Sequence, residues 1–196
     1  MPFPRRRNKE YRPYALFHFA SEGEKTEHEY LEQLQRIYDG IRFAQIPTSQ
    51  HDPKNLLQAM QHYEHVKKGT IRPDDKCIIL VDRDEWPARD MEILWQWERE
   101  DSRHMLLVSN PCFELWLLRH FESGEGASTA VICHNRLKMH NNQTLAQKSV
   151  PKGTFTREDI RTACVHAKAS PTRNWKEPGF TNMYRLIDAI EALERA

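Results

Sequence analysis

Apolar residues fall along this chain in two rhythms. Short unbroken runs at Tyr14–Ala20, Ile41–Ile46, Cys77–Val81 and His104–Val108 read as strands. Between them Tyr30, Leu31, Leu34, Ile37 and Tyr38 recur at helical spacing, as do Leu56, Leu57, Met60, Tyr63 and Val66, then Met91, Leu94 and Trp95. The resulting β-α-β-α-β-α-β order predicts a mostly parallel sheet of about four strands flanked by helices. Cys77–Val81 has no polar interruption, as a central strand covered on both faces requires. Local signals place the boundaries. Thr26 with Glu29 predicts a capping box, Asp39-Gly40 ends the first helix, Asp52-Pro53 opens the second and Pro87 the third.

After Pro111 the rhythm changes. Phe113, Trp116, Leu117, His120 and Phe121 predict a short amphipathic helix, and 123–128 a polar loop containing glycines. Three more helices are predicted over 129–139, 156–168 and 182–196, and no repeat is visible. The chain therefore reads as one domain in three parts: a basic arm at 1–13, an α/β core at 14–122, and a helical extension at 123–196 packed on that core.

Composition narrows this picture only slightly. With 39% hydrophobic and 29% charged residues over 196 positions, a globular protein with a polar surface is expected. No run approaches the ~18 apolar residues of a membrane helix, and the opening MPFPRRRNKEYRP lacks the apolar stretch of a secretory signal. A cytoplasmic protein is expected. Cys77, Cys112, Cys133 and Cys164 form no paired motif, and Cys133, His134, His140, Cys164 and His166 match no standard zinc spacing. A net charge of +1 decides nothing about partners. Its distribution is more useful: Arg5, Arg6, Arg7, Lys9 and Arg12 form a basic arm, and Lys138, Lys148, Lys152, Arg157, Arg161, Lys168, Arg173 and Lys176 enrich the last third.

The candidate chemistry begins at "IILVDRDEW" (78–86), where a buried strand runs into three acids. Like charges gathered at a strand end repel one another unless a cation binds. Ligands of parallel α/β sheets bind at the carboxyl ends of the strands, and two loops bring acids there: Glu22 after the first strand, Asp82 and Asp84 after the third. If the strand continues, alternation points Asp82 and Asp84 the same way. Three such carboxylates suit a hard divalent ion, Mg²⁺ (or Mn²⁺), that keeps several waters and a phosphate. The bland alternative is a solvated acidic turn paired with Arg83.

An isolated glutamate after the first strand, then Asp-x-Asp after a later one, is the arrangement of a Toprim domain. "SEGEKTEHEYLEQL" (21–34), "VDRDEW" (81–86), "SNPCFELWLLRHF" (109–121) and "NWKEPGFTNMYRLIDAI" (174–190), in that order, resemble the RloB-like family. These are small Toprim proteins associated with bacterial restriction and phage-defence loci. The chain departs from the pattern at Pro178-Gly-Phe-Thr181, where an Asn-Pro-Ser-Thr-like turn is expected. The resemblance implies a Toprim-like fold and a metal-dependent nuclease acting on DNA or RNA, working with an ATPase partner and able to form homo-oligomers. It implies Glu22 as the Toprim glutamate, Asp82 and Asp84 as the Asp-x-Asp pair, and Glu27 and Glu114 as further metal or water contacts.

The residues themselves add the rest. An unpaired Glu114 in an apolar helix start would be costly, whereas Glu27 also suits an exposed first-turn acid. Lys152, between Pro151 and Gly153, is the first choice of lysine for a scissile phosphate. Arg161 and Lys168, with Trp175 and Phe180, are expected to form a cationic substrate wall. Asn110 reads as the cap of the helix that Pro111 opens, or as a substrate contact, and His120 as a packed or surface helix residue. Two other functions fit: a non-catalytic subunit that binds nucleic acid or a partner, and a hydrolase of a small nucleotide signal.

Overall fold

The computed structural model describes residues 12–23, 25–48, 50, 52–83, 86–140 and 143–195. Asp84 and most of the basic arm, Arg5, Arg6, Arg7 and Lys9, lie outside the described residues. The elements in order are β1 (Ala15–Ser21), α1 (Thr26–Ile37), β2 (Ile41–Gln45), α2 (Pro53–Val66), β3 (Lys76–Asp82), α3 (Ala88–Glu100) and β4 (His104–Asn110). There follow α4 (Glu114–Leu118), α5 (Ala130–Met139), α6 (Gln143–Ala146), α7 (Arg157–Ala169), β5 (Phe180–Thr181) and α8 (Tyr184–Glu194). The sheet has five strands in the order β2-β1-β3-β4-β5. Its first four are parallel, and β5 joins β4 antiparallel.

Strand alternation sorts the core into two layers. Phe17, Phe19, Ile78, Leu80, Met105 and Leu107 face one side, packed with α1, α4, α7 and α8. Cys77, Ile79, Val81, Leu106 and Val108 face the other, packed with α2 and α3 through Leu56, Met60, Met91, Leu94 and Trp97. The helices after Pro111 are therefore integral to one face of the sheet. Trp116, at the centre of α4, is fully buried there, and burying such a side chain contributes roughly 2–3 kcal/mol. His120 is buried in the same layer. Its Nδ1–H donates to the Trp116 carbonyl (3.1 Å), and its Nε2 accepts from the Tyr30 hydroxyl (3.2 Å). Burial pushes its pKa down to about 4, so it is a neutral core residue.

Two local expectations give way to tertiary contacts. Thr26 and Glu29 do not form a capping box: α1 is capped by Lys25 without a side-chain bond. The Thr26 hydroxyl instead donates to the Lys148 carbonyl at 3.0 Å, and Glu29 accepts from the Val150 amide at 2.6 Å and the Ser149 hydroxyl at 2.9 Å. Asn110 caps no helix either. It ends β4, α4 starts at Glu114, and the Asn110 amide donates to the Trp175 carbonyl at 3.0 Å. Among the described residues no helix is long and apolar enough to cross a membrane.

A candidate acidic active site

β1 and β3 are neighbours, with Ser21 opposite Leu80, so the loops that leave them meet at one edge of the sheet. The Glu22 amide donates to the Leu80 carbonyl (3.2 Å) and fixes the start of its loop. The Glu22 carboxylate then accepts from the Asp82 amide (3.3 Å) and from the Trp86 indole N–H (2.8 Å). Glu22 and Asp82 thus share a border, as their strand-end positions imply. Trp86 lies in the quoted motif but carried no role in the sequence reading. In the structure it orients Glu22.

Two buried acids complete the group. Glu27, in the first turn of α1, and Glu114, opening α4, are 7% and 6% exposed. The Glu27 carboxylate rests on the backbone at Gly23, where a Cβ would lie 1.9 Å from Oε2. Only glycine permits that approach. Glu22, Glu27, Asp82 and Glu114 line one cavity of about 390 Å³, together with Lys148. An adjoining lobe of about 350 Å³ shares Glu22, Asp82, Glu114 and Lys148 and adds Cys112 and His134.

Two lysines line the cavity: Lys25 is largely exposed and lies 4.0 Å from Glu29, and Lys148 faces the acids. Its backbone sits in the left-handed region at φ 56°, which is rare for a residue with a side chain. The grip of Thr26 and Glu29 on 148–150 holds it there. Its pKa is raised, chiefly by the Glu114 carboxylate and further by Asp82 and Glu27.

Burial, the like charges of Glu114 and Glu22 adding to it, pushes Glu27 up to about 7 from an ordinary 4.5. The folded chain then keeps a proton that the unfolded chain loses. This contribution to stability is complete below pH 4.5 and disappears as pH rises through 7. Its full size is roughly 3 kcal/mol, at about 1.4 kcal/mol per tenfold change in proton affinity. In EDTA, urea unfolding of the wild type is expected to weaken from pH 5 to 8, and Glu27→Gln to flatten that slope. Equal slopes in the two proteins would show that Glu27 ionises normally.

The other expected site residues lie elsewhere. Lys152 is exposed on the turn from Pro151 to Thr154 and lines neither lobe. Gln33 accepts from the Thr154 amide at 3.1 Å, so α1 holds the segment at both ends and presents Lys148 to the acids. Arg161 and Lys168 pair with Glu191 (3.8 Å) and Asp188 (2.6 Å) of α8 and line neither lobe. Asn110 borders a separate cavity beside Arg83. His140 meets Glu122 (3.2 Å) and His166 donates to the Arg119 carbonyl (2.7 Å), so the Cys/His set does not converge. Among the described residues, no three His, Cys, Asp or Glu side chains are placed as a ready metal cage. The chemistry of the donor set still fits a hard ion: four carboxylates from four segments in one cavity.

A model of the RloB-like protein family matches residues 17–190, most of the chain. The chain belongs to the RloB-like family. No curated protein and no solved structure matches it. In this RloB-like chain the match spans Glu22, Glu27, Asp82, Glu114 and Lys148 alike.

Trp86 gives the site a direct test. Trp86→Phe keeps the ring and removes the N–H that holds Glu22. Groups that orient a metal ligand typically contribute 10- to 100-fold in metal affinity. A titration of Mn²⁺ onto the purified protein is expected to show binding weakened by about that factor in the variant, and an unchanged titration would remove Trp86 from the site.

Proposed function

We propose that this chain is a metal-dependent phosphodiesterase that cleaves nucleic acid, DNA or RNA. The observation that carries this reading is the convergence of Glu22, Glu27, Asp82 and Glu114 on one cavity at the carboxyl edge of the sheet, with Lys148 facing them. So many acids in a partly buried space are costly without a bound cation. Bound Mg²⁺ or Mn²⁺ would supply Lewis acidity and a more acidic water, with Glu22 and Asp82 as its first ligands and Glu27 and Glu114 completing the set.

The chain's own residues have separable tasks. Glu22, oriented by Trp86, is an acceptor for the proton of an attacking water. Lys148 offers a fixed positive charge to the oxygens of a phosphoryl group as charge builds on them. Without metal, Glu27 holds its proton up to about pH 7, and ligating the cation would release that proton. Family membership supports a part in antiviral defence beside an ATPase partner. The deciding experiment incubates purified protein with labelled DNA, tRNA and nucleotides in Mg²⁺ or Mn²⁺, and then in EDTA. Metal-dependent, EDTA-sensitive cleavage of a polynucleotide is expected; tight binding without cleavage in either metal would make the chain a binding subunit.

A further inference from the structure

The geometry points to a second, cationic subsite beside the acidic cavity, one that holds a neighbouring backbone phosphate of a nucleic-acid strand. This deepens the nuclease reading and rests on it. A cavity of about 350 Å³ is lined by Arg83, Asn110, Ser128, Thr129 and Lys176 among others. Among the described residues no carboxylate lines it, whereas four line the acidic cavity. The two are neighbours, as the sequence pairs Asp82/Arg83 and Pro111/Cys112 divided between them also show. Ala130, at the start of α5, lines both this cavity and the second lobe of the acidic one.

Strand alternation produces the pairing. Asp82 ends β3 on the face of Ile78 and Leu80, and Arg83, one Cα step of about 3.8 Å away, turns to the opposite face. There the Arg83 guanidinium lies 5.4 Å from the centre of the Trp175 ring, and its Nη1 donates to the Trp86 carbonyl at 2.6 Å. Arg83 Nε is buried and has no hydrogen-bond partner among the described residues. Lys176 stands over the same ring at 5.0 Å, and Trp175 rests against Trp95 at 6.3 Å.

Two cations are thus pre-set on one aromatic platform, and Ser128 and Thr129 line the same cavity, the Thr129 hydroxyl also accepting from the Ile132 amide at 3.2 Å. A guanidinium fork and hydroxyl donors match phosphate oxygens. Among the described residues Lys176 pairs with Glu92 at 3.2 Å, a solvent-exposed pair that contributes little. One phosphate in the acidic cavity and a second beside Arg83 require a ligand that repeats its phosphates. A polynucleotide strand does so, and a nucleoside monophosphate cannot fill both places.

The test is fluorescence anisotropy with a labelled single-stranded 12-mer in EDTA, so that binding is read without cleavage. The double variant Arg83→Gln/Lys176→Gln is expected to bind at least tenfold more weakly. Its salt dependence should be shallower by about 1.4 in slope, two phosphates at ~0.7 each. Lys176→Gln alone alters an exposed side chain, leaves the Arg83 packing in place and should lose about half of that slope. Arg161→Gln/Lys168→Gln removes two charges that pair with α8 and serves as the control, with no change expected. Wild-type affinity in both cavity variants, or an equal loss in the control, would overturn the subsite. Absence of wild-type cleavage in Mn²⁺ is a separate result that sinks the nuclease reading and leaves the affinity comparison intact.

Discussion

Asp82→Ala and Glu22→Gln are each expected to reduce metal-dependent cleavage about a thousandfold or more while leaving the fold intact. A ligand to a catalytic ion contributes several kcal/mol to transition-state stabilisation, and each ~1.4 kcal/mol is tenfold in rate. The two substitutions act differently on the neighbourhood. Gln at 22 keeps an oxygen to accept from the Trp86 indole and the Asp82 amide, so the loop retains its hydrogen bonds. Ala at 82 removes one negative charge from the field that raises Glu27 and Lys148. Without metal, both variants should match or slightly exceed the wild type in urea midpoint, because repulsion among clustered carboxylates is relieved. Cleavage within tenfold of wild type would remove these acids from the catalytic centre. Markedly easier unfolding in EDTA would make them structural partners.

Lys148→Met is expected to lower kcat about 10²- to 10³-fold, the range found when one preorganised donor to a developing oxyanion is removed. Met keeps an unbranched side chain one heavy atom shorter and removes the ammonium group. Lys152→Met should stay within about twofold of wild type, since Lys152 is exposed and borders neither lobe of the acidic cavity. The contrast is a strict one because the residues are four apart on one segment. Comparable losses from both would mean that the segment moves as substrate binds; a loss from Lys152→Met alone would reverse the assignment. Lys148→Met should also raise Glu27 above its already elevated value, since the Lys148 ammonium opposes that rise. The fall in urea midpoint should therefore start near pH 4.5 as in the wild type and extend to a higher pH in this variant.

Much of the fold was legible because it rests on local periodicity. The runs at 77–81 and 104–108 became β3 and β4, and the apolar helical spacings became α1, α2 and α3 almost residue for residue. β5 was not legible. Two residues, Phe180–Thr181, carry no period. They pair with β4 because Asn182 bridges it, accepting from the Val108 amide at 2.7 Å and donating to the Leu106 carbonyl at 2.9 Å.

The amino-acid sequence by itself placed Glu22 and Asp82 at the edge of the sheet. A carboxylate placed directly after a buried strand must emerge at the sheet edge, so Glu22 and Asp82 were bound to lie there once the strands were parallel and adjacent. The chemistry around them was decided only by tertiary structure. Thr26 and Glu29 look like a cap from four residues of sequence, yet they spend their hydrogen bonds on a segment about 120 positions away and thereby choose Lys148 over Lys152. Arg161 and Lys168 read as substrate cations until α8 supplies Glu191 and Asp188. Strand direction follows from short-range sterics that the sequence spells out; which cation meets which anion follows from long-range packing, and nothing in local spacing encodes it.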